Sequence, residues 1–362
     1  MDTYIYIFLL EMLLGIFILG WHPQNSSNRK KIVYLVFSTV ILGTLCGLRS
    51  SLVGYDTETY YTAFLRTSET IRDIFDNQQH IETGFAALCT LIKVLGGNFT
   101  HLLLICSFFT VGSFSVFVYR HSSNVLLSIF ILLCFPYYYS SFDIMRHFVA
   151  TSFFLLGYKY ILNGNFVKYS IFVVAGCIFH KTVIIYLLLY PLLRLRWSSK
   201  LMWTVFMIAG LIMFFAPVIS LYIVEETGNY GTILESWVGK DAGGSLTALM
   251  YFVIFIIASI LRKNLEMPSK ADINLICVLL LFASAIIFTR SRIVIRYVMT
   301  FSGLLAVAMP NLLYSYKSRE KRLNGLILFL FIIIGLLYHT FLLITNWQNV
   351  VPYISSFEYP FL

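Results

Sequence analysis

Four polar residues stand out in an otherwise apolar part of the sequence, residues 141–193. Arg146 and His147 are adjacent near its start, and His180 and Lys181 are adjacent near its end. A charged side chain at the centre of a bilayer costs about 2.5–3.5 kcal/mol on insertion scales. Arginine can hold phosphate groups with paired hydrogen bonds, and histidine can exchange protons near neutral pH. We therefore take this stretch as the core of a polar site that binds anions and moves protons.

An earlier polar segment supplies a second group of candidates. Arg49 comes where an apolar run ends, and Asp56, Tyr60 and Phe64 follow at a spacing of four residues. In a helix those three side chains share one face. The alternative is an arginine that extends to the headgroup level beside an ordinary amphipathic loop helix.

A third group lies in the second half of the chain. Arg290, Arg292 and Arg296 occur within seven residues, and the last two share a helical face. Grouped arginines hold phosphate or diphosphate. Single histidines in membrane helices are often only interhelical hydrogen-bonding residues, and we assign that role to His339.

Composition indicates the class of protein that must position these residues. The chain has 362 residues, of which 59% are hydrophobic and 12% are charged, against about 25% charged residues in soluble domains. The apolar runs are continuous, so we predict an all-α, polytopic integral membrane protein. The net charge of +9 lies in short loops between apolar runs. This is the positive-inside pattern, and we exclude nucleic acid as a partner.

Basic loops give the predicted topology. We predict spans near residues 3–21, 32–48, 83–95, 99–119, 124–140, 201–224, 245–261, 271–289, 295–316 and 323–346. The basic residues at 29–31, 194–200, 262–270 and 317–322 belong inside. The N-terminus, the loop at 49–82 and the arginine cluster at 290–296 then lie outside. An external arginine cluster breaks the positive-inside rule, which favours a functional role for it.

The segment before residue 194 allows two topologies. If Lys168 and Arg194 are both inside, residues 169–193 cross twice and the helix breaks at His180–Lys181. Broken helices line cavities in membrane proteins. The alternative is one span with His180 near mid-membrane. We favour the break, which requires that residues 83–119 make one net crossing although they look like two spans. With these alternatives open, we predict about 11 to 13 crossings in a single transmembrane domain over residues 1–362.

Short motifs in a fixed order carry a family resemblance over residues 45–301. They read GLR at 47–49, GYD at 54–56 with Tyr60 and Phe64, E-x-GF at 82–85, MR at 145–146 with Ala150, FHKT at 179–182, and Arg292 with Arg296 and Tyr297. This order resembles the EpsG family of Wzy-type bacterial polysaccharide polymerases. The chain departs from the family at His147, where Gln is frequent, and after His180, where x-Ser-Ala is frequent. No role is therefore carried over to His147 or Lys181.

The resemblance implies a fold and a reaction. The fold would be a membrane glycosyltransferase of the GT-C type with a short external loop subdomain. The reaction would join oligosaccharide repeat units carried on undecaprenyl diphosphate, at the outer face of the bacterial cytoplasmic membrane. Arg49, Arg146, Arg292 and Arg296 would bind the diphosphate, and Arg146 would also be catalytic. His180 or Asp56 would act as general base, and Tyr60 and Tyr297 would position substrate.

The expected partners are the lipid-linked glycans, the bilayer, a chain-length regulator and a flippase. No cofactor is expected, because a diphosphate already leaves readily. The weaker alternative is an acidic metal site at Asp56 and Glu58. A ligase that moves finished glycan to another acceptor has the same sequence features. A flippase or transporter is the alternative outside enzymes, but no internal repeat is visible.

Overall fold

The computed structural model describes residues 1–68, 81–195, 243–262, 292–314 and 321–358, with single positions between 198 and 207 and Leu279. It divides into two compact units, Met1–Tyr190 with Gly335–Leu362, and Pro191–Ile334. Every regular element in the described ranges is helical, which confirms the all-α prediction. An isolated antiparallel bridge joins Arg49 to Ser355.

Thirteen α-helices are named here in chain order within the described ranges. They are α1 (Asp2–Leu19), α2 (Asn28–Gly47), α3 (Thr57–Arg66), α4 (Thr83–Val94), α5 (Phe99–His121), α6 (Val125–Cys134), α7 (Pro136–Asp143), α8 (Met145–Leu162), α9 (Phe166–Cys177), α10 (Leu189–Arg194), α11 (Gly243–Arg262), α12 (Arg292–Tyr314) and α13 (Lys321–Ile344). A 3-10 helix, Lys181–Leu188, connects α9 to α10.

Four helices in the described ranges have the length and apolar composition to cross a bilayer. They are α1, α2, α5 and the part Gly325–Ile344 of α13. Helices α6 and α7 make a fifth candidate together, bent by 55° where Pro136 begins α7. These helices are typical of a multi-pass membrane protein. The predicted total of 11 to 13 stays a prediction, since the spans near 201–224 and 271–289 lie outside the described residues.

Two helices near the site are too short to cross alone. Helix α4 has 12 residues and α9 has 12, so each is about 18 Å long at 1.5 Å per residue. After α9 the chain leaves the α-helical path at Ile178, and the 3-10 helix starts at Lys181. Residues 169–193 are therefore not one continuous span, and the path changes at His180–Lys181.

Helix α8 packs on α5, α9 and the 3-10 helix, and most of its residues are buried. An aromatic and aliphatic core fills the space between α3, α4, α5 and α8, and it includes Tyr60, Phe64, Phe85, Phe99 and Met145. Elsewhere in this unit the Tyr139 hydroxyl lies 2.7 Å from His339 Nε2, and both residues are buried. This bond between α7 and α13 confirms the structural role predicted for His339.

The residues after α13 pair with the loop that precedes α3. The Ser50 amide donates to the Ile354 carbonyl at 2.9 Å, and the Ser356 amide donates to the Leu48 carbonyl at 2.7 Å. The Gly54 amide also donates to the Asn349 carbonyl, at 3.0 Å. We call residues 346–358 the C-terminal strap. It fixes the backbone that leads into α3.

Candidate functional site

Three ends of secondary-structure elements meet at one place in the first unit. Arg146 is the second residue of α8, Glu82 precedes the first residue of α4, and His180 precedes the 3-10 helix. A side chain at the end of a helix has fewer neighbours from its own helix than one in the middle, so it can contact residues of other elements. The meeting of these ends brings together residues that are 64 and 98 positions apart in the chain.

Small residues allow these elements to approach closely. The Gly84 amide donates to the Ile178 carbonyl at 2.9 Å, and a Cβ atom on Gly84 would lie only 2.8 Å from that oxygen. A Cβ atom on Gly176 would lie 2.7 Å from the Ala150 carbonyl oxygen. Gly84 thus sets α4 against the end of α9, and Gly176 sets α9 against α8.

Glu82 joins the two residues on which the predicted chemistry depends. Its Oε2 lies 2.8 Å from Arg146 Nη1, and its Oε1 lies 3.0 Å from His180 Nδ1. The side chains are 25% exposed for Arg146, 16% for His180 and 13% for Glu82. The group is therefore largely enclosed but still reachable from outside the protein.

The charge on Glu82 is strongly stabilised. Burial raises its pKa, but the hydrogen bond from His180, a backbone hydrogen bond and the charges of Arg146 and His180 together lower it to about 2. Opposite charges and hydrogen bonds to the ionised form act in this direction. Glu82 is thus a carboxylate throughout the physiological pH range.

Aromatic rings hold the Arg146 guanidinium. Its Cζ atom lies 5.3 Å from the centre of the Tyr60 ring and 5.7 Å from that of Phe85. A cation within about 6 Å of an aromatic face is attracted by the ring. Tyr60 and Phe64 are both buried, so the face of α3 predicted from their spacing is the face that packs inward. Burial also raises the pKa of Tyr60, which stays protonated.

Asp56 lies at the start of α3, beside an acidic residue that sequence reasoning did not single out. Its backbone amide donates to Asp143 Oδ1 at 2.7 Å, and Asp143 is buried. Gly54 precedes it with a φ of +94°, which L-residues rarely adopt. A Cβ atom there would lie 2.9 Å from the Phe142 carbonyl oxygen. The loop can therefore close on the end of α7 only with glycine at this position.

Arg49 is fully buried, with 0% exposure. Its Nη1 donates to the Cys46 carbonyl, and its Nη2 donates to the Phe142 carbonyl at 2.8 Å. The Thr57 hydroxyl donates to the same Phe142 oxygen at 3.2 Å. In this structure Arg49 is hydrogen-bonded to the backbone at the end of α7, directly before Asp143. Its predicted contact with a diphosphate stays a prediction.

A second histidine, His147, lies next to His180. The rings of His147 and His180 are 5.2 Å apart and nearly perpendicular, and His147 is buried. Its Nε2 lies 3.2 Å from the Tyr186 hydroxyl, which also lies 3.2 Å from the Thr151 hydroxyl. His147 thus contacts His180 on one side and Tyr186 on the other.

The remaining predicted residues belong to the second unit. Arg292 and Arg296 lie in the first turns of α12, and Tyr297 follows them. Their side chains are outside the described residues, so their predicted roles stay predictions. No group of three or more His, Cys, Asp or Glu side chains in the described ranges has metal-binding geometry. The predicted independence from metal is untested.

Sequence reasoning missed the roles of Glu82, Asp143 and Tyr186. Glu82 was visible as part of the E-x-GF motif, directly before an apolar helix, but nothing in the sequence paired it with Arg146 or His180. Asp143 gave a fainter signal as an acidic residue in an apolar stretch, three positions before Arg146. Tyr186 is one of 24 tyrosines and gave none.

A family model matches residues 32–355, nearly the whole chain, and is described as the EpsG family. The chain belongs to the EpsG family. This is a family of Wzy-type polysaccharide polymerase-like proteins, which confirms the resemblance found in the sequence. Comparisons with curated proteins and with solved structures found no match. The matched region contains Glu82, Arg146 and His180 and extends to Ser355 in the C-terminal strap.

Proposed function

We propose that this EpsG-family protein is a membrane glycosyltransferase that polymerises oligosaccharide repeat units carried on undecaprenyl diphosphate. Family membership supports a general role in polysaccharide polymerisation. The observation that carries the proposal further is the cluster in which one carboxylate contacts both Arg146 and His180. A cation for a leaving phosphate and an imidazole for a hydroxyl proton are the two groups this reaction needs.

The reaction is a substitution at the anomeric carbon of the donor glycan. A hydroxyl oxygen of the acceptor sugar forms the new bond to that carbon, and its proton passes to His180. The bond from the carbon to the diphosphate oxygen breaks, and its electron pair leaves with undecaprenyl diphosphate. Arg146 stabilises the negative charge that grows on the leaving oxygen. Arg292 and Arg296 are also proposed to bind the diphosphate.

His180 is the better candidate for the base, and Asp56 is the alternative. His180 shares Glu82 with Arg146, so proton acceptance and charge stabilisation would occur side by side. Asp56 instead has its backbone amide tied to Asp143. Tyr60 contacts the Arg146 guanidinium through its ring, and its proposed positioning of substrate would act through that arginine.

The proposed setting follows from the substrate. The lipid carrier stays in the bilayer while its sugars need water, so the site would open to the outer side of the bacterial cytoplasmic membrane. The diphosphate leaves without metal assistance in this proposal. A flippase would supply the lipid-linked repeat unit to that side, and a chain-length regulator would control the product.

The test uses purified protein with a defined lipid-linked repeat unit and counts single additions. We expect His180→Ala to lower the rate by about 10²–10⁴-fold, the usual contribution of a general acid–base group. His180→Gln should be similarly slow, because glutamine forms hydrogen bonds but accepts no proton near neutral pH. The matched control is His22→Ala, at an exposed histidine before α2, and it should retain full activity.

A purely structural role for His180 gives a different result. Loss of an interhelical hydrogen bond would cost about 1–2 kcal/mol of stability and leave the rate nearly unchanged. Full activity in both His180 variants would therefore exclude His180 as base. Inactivity of the wild-type protein on lipid-linked repeat units, under conditions where it is folded, would exclude the polymerase reaction.

A further inference from the structure

Glu82 has one carboxylate and uses each oxygen for a different partner. Oε1 contacts the imidazole of His180 and Oε2 contacts the guanidinium of Arg146. The residue is fixed from several directions. Its carbonyl accepts the amides of Phe85 and Ala86, and the Gly84 amide is bound to Ile178. The backbone that carries this carboxylate is therefore held in place beside both partners.

We propose that Glu82 is the positioning residue of this site and sets the tautomer of His180, so that Nε2 is the nitrogen that accepts the proton. The inference rests on the proposed function for its catalytic meaning. An ionised carboxylate only accepts hydrogen bonds. His180 Nδ1 must therefore carry the hydrogen that points to Oε1, and in the neutral imidazole the lone pair is then on Nε2. The low pKa of Glu82, about 2, keeps it in this accepting form.

The positioning role also explains an apparent disadvantage. An anion site gains affinity from an unopposed cation, yet a carboxylate lies 2.8 Å from Arg146 Nη1. Glu82 must reduce the attraction of Arg146 for phosphate groups. Its presence is useful if it improves the chemical step more than it weakens binding. Removing its charge should therefore slow turnover and strengthen anion binding.

Each proton in the proposed step has a defined donor and acceptor. The acceptor hydroxyl gives its proton to His180 Nε2 as the new glycosidic bond forms. The Nδ1 hydrogen stays on the ring and remains bonded to Glu82, which stabilises the imidazolium without being protonated. The same division of roles between carboxylate and histidine operates in serine proteases. The proton leaves His180 for solvent after undecaprenyl diphosphate has left.

The first test separates kcat from affinity with Glu82→Gln, which keeps the shape of the side chain and removes its charge. We expect kcat for single additions to fall by about 10²-fold. Binding of inorganic pyrophosphate, measured by calorimetry, should become about two- to fivefold tighter, the size expected for a partly exposed charge pair. Asp2→Asn is the control, because it makes the same change of carboxylate to amide at an exposed position, and it should change neither quantity.

The outcomes are distinguishable from failure of the proposed function. A Glu82→Gln protein with wild-type kcat overturns the positioning role, even if His180→Ala is inactive. Weaker pyrophosphate binding together with a raised KM also overturns it, because that pattern belongs to a residue that only supports the anion site. An active His180→Ala protein instead excludes His180 as the base, and inactivity of the folded wild-type protein overturns the proposed function.

The second test needs no catalysis. Nitrogen NMR of protein labelled with 15N-histidine distinguishes a protonated Nδ1 from a protonated Nε2, and the His180 signals are those missing from His180→Gln. We expect the neutral imidazole of wild-type His180 to carry its hydrogen on Nδ1. Glu82→Ala should shift the population toward the Nε2–H form. A wild-type signal from the Nε2–H form would overturn the inference.

Discussion

Arg146 and Arg49 have similar places in the sequence but different surroundings in the structure. Both lie at a helix end in an apolar context. Arg49 is fully buried and donates to the carbonyls of Cys46 and Phe142. Arg146 is 25% exposed and contacts Glu82 and two aromatic rings. A planar guanidinium can keep those contacts and still offer nitrogen donors to a phosphate, which a compact ammonium cannot.

This difference leads to a prediction for Arg146→Lys. We expect single additions to fall by about 10²-fold, the usual cost of removing one donor from a charge-stabilising site, while the protein inserts normally. Arg120→Lys, at the exposed end of α5, is the control and should be neutral. The assay is the same purified system. Wild-type rates in Arg146→Lys, and also in Arg292→Lys and Arg296→Lys, would exclude the proposal that these arginines bind the diphosphate.

Helix ends, more than helix faces, build this site. The start of α4, the start of α8 and the turn after α9 supply Glu82, Arg146 and His180. Their spacing depends on backbone contact at Gly84 and Gly176, where a side chain would meet a carbonyl oxygen. A shift of α4 by a few tenths of an ångström would move Glu82 relative to both partners.

Substitution of Gly84 by alanine tests this dependence. The added methyl group meets the backbone at Ile178, so we expect a loss of about 1–3 kcal/mol in stability from overpacking and a clear loss of activity. Gly325→Ala is the matched control, because nothing lies within 4 Å of its Cβ position. Alanine there should be neutral or stabilise α13 by up to about 1 kcal/mol. Thermal unfolding and the addition assay measure both. Equal behaviour of the two variants would contradict the close-contact explanation.

The sequence predicted correctly those features that depend on a single segment of the chain. The apolar runs gave α1, α2 and α5, and loop charges indicated a change of path at His180–Lys181, where α9 does give way to a 3-10 helix. The spacing of Tyr60 and Phe64 gave the buried face of α3. It did not find the pairing of Glu82 with Arg146 and His180, because partners 64 and 98 positions away are set by tertiary packing. Arg49 shows the same limit, since its burial depends on α7 and the C-terminal strap.

The orientation of the whole molecule in the membrane is predicted only from the distribution of basic residues among the loops. Basic loops place residues 49–82 outside and residues 29–31 inside. Tyr55 and Lys30 are both exposed in the structure, so they make a matched pair of labelling positions on opposite predicted sides.

We therefore expect Tyr55→Cys, with the native cysteines replaced, to react with a membrane-impermeant thiol reagent in intact cells. Lys30→Cys should react only after lysis. The extent of labelling on gels measures both. The reverse pattern would invert the topology and place the Glu82 cluster on the wrong side for external polymerisation.

The C-terminal strap has a consequence for how the protein is made. Its residues 354–356 bond to residues 48–50, about 300 positions earlier. At about 5–20 residues per second, a ribosome needs roughly 15–60 s to cover that distance. During that interval the loop leading into α3 lacks its backbone partners, so we expect the nascent chain to be inactive. Synthesis itself would then delay glycan transfer until the strap has been translated, and products of premature termination would be catalytically silent.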